Sequence, residues 1–489
     1  YWTYFLLPSA AAGTTPRGMD HVETFLKVNA TATAVLFVAM IYVCAWAAIP
    51  RAWPVAIAVA LAIVASSAEG TFALWRFWQR GVPLDEVRNL NIDAITNWWF
   101  HGLRVDGLQR CFWWVPQHST AYALGLIALT VTHAAGSGAP LAAIVLAGVA
   151  LAGATMMNPF VGGVFALVWG AAVAIDAARS GAFVSRVLRH ALAIVPVALA
   201  LGWVMGNRMA EGGGSALQFG WLIGEAHNSP VMTLLLALGP ILLATLAGVA
   251  VPRGATEWSR PAAASVLSVI ALMLLFGARL NVDSAWIGFR AGQLLLVAVP
   301  ALVARGLAAR APWRRVAVAA AVAALATGLP TTAIDVYNAQ DVTNVSESPI
   351  GPWTIVITAD QEDGLDWLRR ATPATAVVQM EPMVRGRSAW SLIPSFAARR
   401  MAAGQPISLL GGTTEGTEYA EKSARVRTMF EGASAAQAAE IARGLRIDYL
   451  WVDATDRAAY PAGVAKFDAA PQFFAPVFKK GEVSIYRVP

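Results

Sequence analysis

Apolar runs recur along the chain at residues 31–49, 53–68, 119–134, 139–156, 159–178, 187–205, 229–250, 262–278, 291–304 and 313–330. Most approach the length of about 20 residues that a helix needs to cross hydrocarbon. No water is available there to satisfy backbone N–H and C=O groups, and a helix satisfies them within one segment. The runs therefore confine the chain to a mainly α fold, a polytopic α-helical membrane domain of about ten spans. Composition agrees: 57% of residues are hydrophobic and 13% charged, against about 25% charged in soluble domains. The net charge is only +6, and the arginines lie beside the runs. That is a topology signal, and no nucleic-acid partner is expected. Of the two cysteines, Cys44 lies inside a run and Cys111 outside one, so no disulfide is expected.

Residues 69–118 interrupt this rhythm. Glu69, Arg76, Arg80, Asp85, Glu86, Arg88, Asp93, Arg104, Asp106 and Arg110 alternate there with Trp75, Trp78, Trp98, Trp99, Trp113 and Trp114. Each charge would cost several kcal/mol inside hydrocarbon. Interleaved Trp and Arg suit a chain lying at the membrane surface, rings at headgroup depth and charges in water. The stretch is expected to be either a plain connector or one wall of a site facing the membrane surface.

Short loops holding Arg51, then Arg179, Arg186 and Arg189, then Arg253 and Arg260, then Arg305, Arg310, Arg314 and Arg315 are basic and are expected in the cytoplasm. The 133–140 turn falls on that side without an arginine. Residues 1–30, 69–118, 206–228 and 279–290 then face outward, together with everything after 331. Residues 1–335 are expected to form the membrane domain, and 350–489 a soluble extracytoplasmic α/β domain. In that tail, Thr354–Thr358, Ala376–Gln379 and Tyr449–Val452 read as strands. Glu362–Arg370, Glu418–Phe430 and Ala435–Arg443 have helical spacing, and Phe473–Phe478 with Val483–Val488 reads as a hairpin. The chain opens at Tyr1 with no recognisable signal peptide, and an upstream part with a further span is expected.

Candidate chemistry collects on the outer side. Asp20 and His21 could supply a base or a ligand to a divalent metal such as Mg or Mn. Asp85 and Glu86 follow Pro83 and suit the start of a helix. Asp93, within NLNIDAITN, is less easily explained by capping and is a candidate catalytic carboxylate. Gln117 and His118, in WWVPQHS, start an apolar helix at the membrane rim. Asp283 and Arg290 flank a span edge in LNVDSAWIGFRAGQ. An ionisable group at hydrocarbon usually has a partner or a task, and the planar fork of Arg290 matches phosphate oxygens. No Walker A, Rossmann, CxxC or HExxH pattern occurs.

WWVPQHS (Trp113–Ser119), MMNPFVGG (Met156–Gly163), DSAWIGFR (Asp283–Arg290) and LRIDYLWVD (Leu445–Asp453), with the many spans and outer α/β tail, resemble the GT-C superfamily of membrane glycosyltransferases. More narrowly, the chain is similar to bacterial multi-pass proteins grouped near that superfamily. The resemblance implies a bacterial inner-membrane enzyme taking a sugar from a polyprenyl-phosphate-linked donor to an acceptor at the outer face. It implies Asp20 as base, Arg290 as phosphate clamp and His118 as donor contact, with a divalent metal in some relatives. Two other classes compete. A flippase of lipid-linked glycans predicts charges along a path through the spans, whereas most runs have none. A non-catalytic scaffold predicts outer carboxylates that share no cleft.

Overall fold

The computed structural model of the protein describes residues 2–15, 22–135, 138–206, 217–258, 261–280, 285–348, 351–384, 392–404, 417–432 and 434–489. Asp20, His21 and Asp283 lie outside them. The chain divides into a helical unit, residues 1–211 with 215–340, and a second unit, 341–489 with 212–214.

The helical unit opens with α1 (Trp2–Thr14), α2 (Val22–Ala48), α3 (Ala52–Val64) and α4 (Glu69–Arg80). The short helices α5 (Ile95–Phe100) and α6 (Arg110–Trp113) follow, then α7 (Pro116–Ala135), α8 (Leu141–Met157), α9 (Pro159–Arg179), α10 (Phe183–His190) and α11 (Ile194–Gly206). Next come α12 (Glu225–Asn228), α13 (Pro230–Met232), α14 (Gly239–Ala250), α15 (Ala262–Gly277), α16 (Ala285–Ala298), α17 (Pro300–Leu307) and α18 (Trp313–Gln340). Strands β1 (Leu217–Phe219) and β2 (Ala278–Leu280) pair antiparallel.

Among the described residues, five helices are long and apolar enough to cross a membrane, or seven if the bent pairs Ala52–Val64 with Glu69–Arg80 and Pro230–Ala237 with Gly239–Ala250 each count as one span. The expected ten are not reached on this measure. Two of the expected spans fall short in length, α8 at 17 residues and α15 at 16. Helix boundaries follow local chemistry. Pro116 opens α7, where a missing N–H costs nothing. Asn158 Oδ1 accepts from the Phe160 and Val161 amides and so caps α9 behind Pro159. Gly81, at φ 65°, closes α4 in a left-handed cap.

One end of this unit is basic. Arg51 and Arg310 reach Glu257 at 3.7 and 3.9 Å, and buried Arg305 donates to the carbonyls of Gly248, Val251 and Trp258 at 2.8–3.2 Å. The 69–118 stretch lies at the other end, where α3 finishes and α18 approaches its C-terminus. Four residues along one stripe of α18 hold it there. A Cβ on Gly328 would come within 2.6 Å of Ala65 Cα, so the two backbones touch. Thr331 Oγ1 accepts from the Gly70 amide at 2.8 Å and donates to the Ser67 carbonyl at 2.7 Å. Asp335 meets Arg110, and Asn338 donates to the carbonyls of Val87 and Leu90, each at 2.9 Å. The i, i+3, i+7, i+10 spacing is that of one helix face.

In the second unit the central sheet has the order β5-β6-β8-β7, built from Val378–Gln379, Tyr449–Val452, Val483–Arg487 and Ala475–Lys480 respectively. β5 and β6 are parallel and the other pairs antiparallel. A two-stranded ribbon, β3 (Glu347–Ser348) with β4 (Gly351–Pro352), precedes it. Helices α19 (Ala359–Ala371), α20 (Thr417–Glu431), α21 (Ala435–Gly444), α22 (Ala454–Ala459) and α23 (Pro461–Ala469) complete this unit among the described residues. Its core centres on Phe430, Phe467, Phe474, Trp451 and Tyr486, all fully buried. The strand expected at Thr354–Thr358 is absent. Thr358 is instead the N-cap of α19, in a reciprocal box with Gln361, and side-chain capping outweighs the β preference of the Thr-Ile-Val run.

If backbone contact at Gly328 sets how close α18 approaches, Gly328→Leu will lower unfolding stability by about 1–3 kcal/mol through overpacking. Ala326→Leu, on the exposed side of the same helix, will leave it unchanged. Thermal unfolding of both variants in one detergent compares them, and equal melting temperatures would refute the close-contact account.

Candidate functional site

The 69–118 stretch folds into α4, two 3-10 turns at Leu84–Asn89 and Ile92–Ala94, α5, an extended segment and α6. Asp85 and Glu86 occupy the first turn of the 3-10 segment, as their position after Pro83 predicts. Four of its tryptophans face outward: Trp75, Trp78, Trp99 and Trp114 are exposed, Trp78 at 79%. Glu69, Asp93, Asp106 and Arg110 turn inward.

Arg110 is the hub of a buried cluster. Its Nε lies 2.9 Å from Asp93 Oδ2, its Nη2 donates to Asp335 Oδ1 at 2.6 Å, and its Nη1 is 3.7 Å from Asp106 Oδ1. Arg104 grips Asp106 with two donors, at 2.7 and 3.1 Å. Asp93 Oδ2 also accepts from the Gly107 amide and from Gln109 Nε2, at 3.0 and 3.2 Å. Asp93 is 0% exposed, and its Oδ1 has no hydrogen-bond partner among the described residues.

Charge counting decides the protonation. Asp93, Asp106 and Asp335 are paired directly with two guanidiniums, Arg110 and Arg104, while Arg290 and Glu69 act from further off. Burial pushes the Asp93 carboxyl up to about 8; Arg110 opposes this, and the neighbouring Asp335, Asp106 and Glu69 reinforce it. Asp106 moves the other way: burial disfavours its charge, but Arg104 and Arg110 outweigh burial and hold it below the usual carboxylate range. Arg110 loses solvation too, and its three carboxylate partners more than compensate, so its proton is held more tightly than usual. The shift favours the protonated form of Asp93, whose Oδ1 makes no hydrogen bond among the described residues. Burial likewise raises the thiol of neighbouring Cys111 and keeps it unreactive.

His118 and Arg290, far apart in sequence, come together beside this cluster. Both are buried, and Arg290 lies within electrostatic range of His118 and of Asp106. Tyr122, one turn along α7 from His118, donates to Gln293 Oε1 at 3.0 Å. Close packing of Gly292 on Val105 seats α16 against the extended segment. Gln117 is half-buried at the mouth of α7.

A hollow of about 280 Å³ on the same stretch is lined by Phe72, Arg76 and Arg80 of α4 and by Trp99 and Phe100 of α5. Phe72, Arg76 and Arg80 are spaced four apart and share one helix face. Phe72 lies 6.0 Å from the Trp99 ring and 5.7 Å from the Phe100 ring. Among the described residues neither Arg76 nor Arg80 has an ion pair. These two arginines stand out in sequence only as part of an interfacial Trp/Arg pattern; their common face with Phe72 is the signal that could have singled them out.

No three His, Cys, Asp or Glu side chains among the described residues are placed to hold a metal. The nearest acidic group, Asp93, Asp106 and Asp335, is already claimed by guanidiniums and does not suit a divalent ion. No family model matches the chain, and no curated protein matches it. Solved structures do match. One is the crystal structure of an oligosaccharyltransferase from Archaeoglobus fulgidus, tethered by a disulfide to an acceptor peptide containing the NVT sequon. It is 14% identical with a TM-score of 0.40, and the match covers 99% of this chain and 65% of the transferase.

A carboxyl whose folded-state value is raised contributes stability fully below its unfolded value near 3.9 and loses that contribution as pH rises through about 8. Asp93→Asn presents an amide oxygen for Oδ2 and an amide nitrogen at Oδ1, so it mimics the protonated acid at every pH. Its unfolding stability relative to the native chain will therefore increase from pH 4 to pH 8. Arg110→Met, which leaves Asp335 without its guanidinium partner, will cost about 3–5 kcal/mol at neutral pH. Denaturant titrations at pH 5, 6.5 and 8 measure both, and a pH-independent Asp93→Asn difference would show that Asp93 is ionised throughout.

Proposed function

We propose that this chain transfers a sugar from a polyprenyl-phosphate-linked donor to an acceptor at the outer membrane face. The observation that carries the reading is the hollow walled by Arg76, Arg80, Trp99, Phe72 and Phe100. Two guanidiniums without carboxylate partners among the described residues, beside an aromatic wall, are groups suited to a membrane-anchored phosphate bearing a sugar. Arginine forks match phosphate oxygens, and aromatic faces pack the apolar faces of sugar rings.

In this proposal the acceptor hydroxyl gives its proton to a carboxylate, for which Asp20 is the candidate. The acceptor oxygen bonds to the anomeric carbon as the bond from that carbon to the donor phosphate oxygen breaks. The electron pair leaves with the phosphate, and arginines stabilise the charge that builds there. Arg290, His118, Gln117, His21 and Asp283 are assigned to the donor side. Asp93 enters as a positioning residue: its Oδ2 is taken by Arg110, and its complete burial keeps it from an acceptor. It holds Arg110 at 2.9 Å and ties the turn before α5 to Gly107 and Gln109, while Glu69 accepts from the Thr96 amide at the start of α5, which carries Trp99. No step here runs through a metal.

A non-catalytic scaffold is the second reading. It is favoured by the burial of Asp93, His118 and Arg290, at 0%, 1% and 5% exposure.

Binding of a short-chain polyprenyl phosphate, followed by tryptophan fluorescence of the purified protein, separates the two. Saturable binding is expected, weakened about ten-fold or more in Arg76→Ala/Arg80→Ala, since a hydrogen bond to a charged group contributes about 1.5–3 kcal/mol. A native chain that does not bind the lipid phosphate, or a double variant that binds it equally well, would leave the scaffold standing. In a transfer assay with a polyprenyl-phosphate-linked sugar, Asp93→Asn should keep most of its rate, whereas Asp20→Asn should lose it.

A further inference from the structure

A larger cavity, of about 460 Å³, lies toward the basic end of the helical unit, where the α9–α10 connection closes it. Its depth is walled by Ile41, Ala45, Leu129, Val168, Leu267 and Val297, so α2, α7, α9, α15 and α16 all contribute apolar surface. Its rim is polar, formed by Asp176, Arg179 and Arg186 with His133 and His190. The volume is in the range that ligand sites occupy.

The rim is arranged for an anion. Asp176 reaches Arg186 only loosely, Oδ2 to Nη1 at 3.5 Å. That Nη1 is shielded from solvent and makes no hydrogen bond. Arg179 has no ion pair among the described residues. His190 is fixed by Nδ1 on the Arg186 carbonyl at 2.9 Å and packs against Trp169, ring centres 6.1 Å apart. Two guanidiniums against one carboxylate leave a positive excess at the mouth of an oily cavity.

The depth of that mouth in the bilayer is set by α10. Phe183, Val184 and Leu188 of this short helix are exposed at 49%, 68% and 66%, while Arg186 and Arg189 share the same segment. α10 opens the 24-residue apolar span Phe183–Gly206, and Arg179 ends the span Pro159–Arg179, so Arg179 and Arg186 both stand at span ends, where long side chains reach headgroup level. Arg186 and Arg179 are thereby held where lipid phosphates sit.

We propose that this cavity binds one anionic phospholipid, an acyl chain in the apolar depth and the phosphate on Arg179 and Arg186. It is distinct from the hollow on α4 and α5 and does not depend on the function proposed for that hollow. Such a lipid would brace α9 and α10 against α2, α7 and α15.

Native mass spectrometry of the intact protein in a non-ionic detergent tests this, with phosphatidylglycerol and phosphatidylcholine of identical chains as probes. Phosphatidylglycerol should bind about five-fold or more tightly than phosphatidylcholine, as expected from about 1 kcal/mol per basic residue near an anionic lipid. Arg179→Gln and Arg186→Gln, both at the rim, should each remove several-fold of that preference, weakening phosphatidylglycerol more than phosphatidylcholine. Ala172→Trp, which fills the cavity, should reduce both lipids; if it misfolds, the two rim variants decide alone. Equal affinity for the two lipids, or rim variants with native preference, would overturn the proposal. Displacement of phosphatidylglycerol by millimolar inorganic phosphate would also overturn it, by making the rim a free-anion site.

Discussion

The pairing of Arg110 with Asp335 holds together segments more than two hundred residues apart in sequence. An isolated guanidinium buried this deeply would cost several kcal/mol, so α6 can sit under the tryptophan layer only if carboxylates arrive with it. Asp93 comes from the preceding 3-10 turn and Asp106 from the extended segment. Asp335 comes from the last long helix of the unit. Each local piece is weak alone: α6 has four residues and the turn at Ile92–Ala94 three. Their order derives from the cluster, whose members must be placed together or not be buried at all.

The cluster and the α18 stripe reinforce each other. Gly328 and Gly70 let backbones touch, which sets the spacing at which Thr331 can bridge Gly70 and Ser67. At that spacing Asp335, one turn further on, reaches Arg110, and Asn338 reaches the carbonyls of Val87 and Leu90. A single helix face thus fixes the break between α3 and α4, the ion cluster and the 3-10 turn. The rigid floor this makes is what allows α4 and α5 to present Arg76, Arg80 and Trp99 on fixed backbones.

Much of this organisation was legible from sequence, and the illegible part has one cause. The apolar runs mark the long helices because hydrocarbon leaves little choice of structure. In the tail, Tyr449–Val452, Glu362–Arg370 and Ala435–Arg443 fall inside elements of the expected type because their patterns are local. Thr354–Thr358 departs because a capping side chain overrode the residue preference. Nothing near Asp335 in sequence shows that a buried arginine awaits it. Asp93 stands out because it does not fit a capping role, but its two donors, Gly107 and Gln109, and its ion pair with Arg110 are contributed by the fold. The helices at Asp453–Ala469 likewise emerge only when Asp453 is seen to cap one of them.

Arginine is used in two ways here, and the difference separates structure from recognition. Arg110, Arg104 and Arg305 spend their donors on carboxylates or backbone carbonyls inside the protein. Their removal would be felt as lost stability. Arg76, Arg80 and Arg179 have no such partners among the described residues, and Arg186 has only a long contact to Asp176. All four stand beside an apolar or aromatic wall. A guanidinium in that position keeps its hydrogen-bonding capacity for something outside the chain. At the surface of a bilayer, the abundant partner with matching charge and geometry is a phosphate attached to a hydrocarbon tail. Both proposals rest on this one physical rule, applied to a lipid-linked sugar at one end of the helical unit and to a bilayer phospholipid at the other. What distinguishes the two proposed sites is the wall: aromatic rings beside Arg76 and Arg80 suit a sugar, and aliphatic side chains beside Arg179 and Arg186 suit an acyl chain.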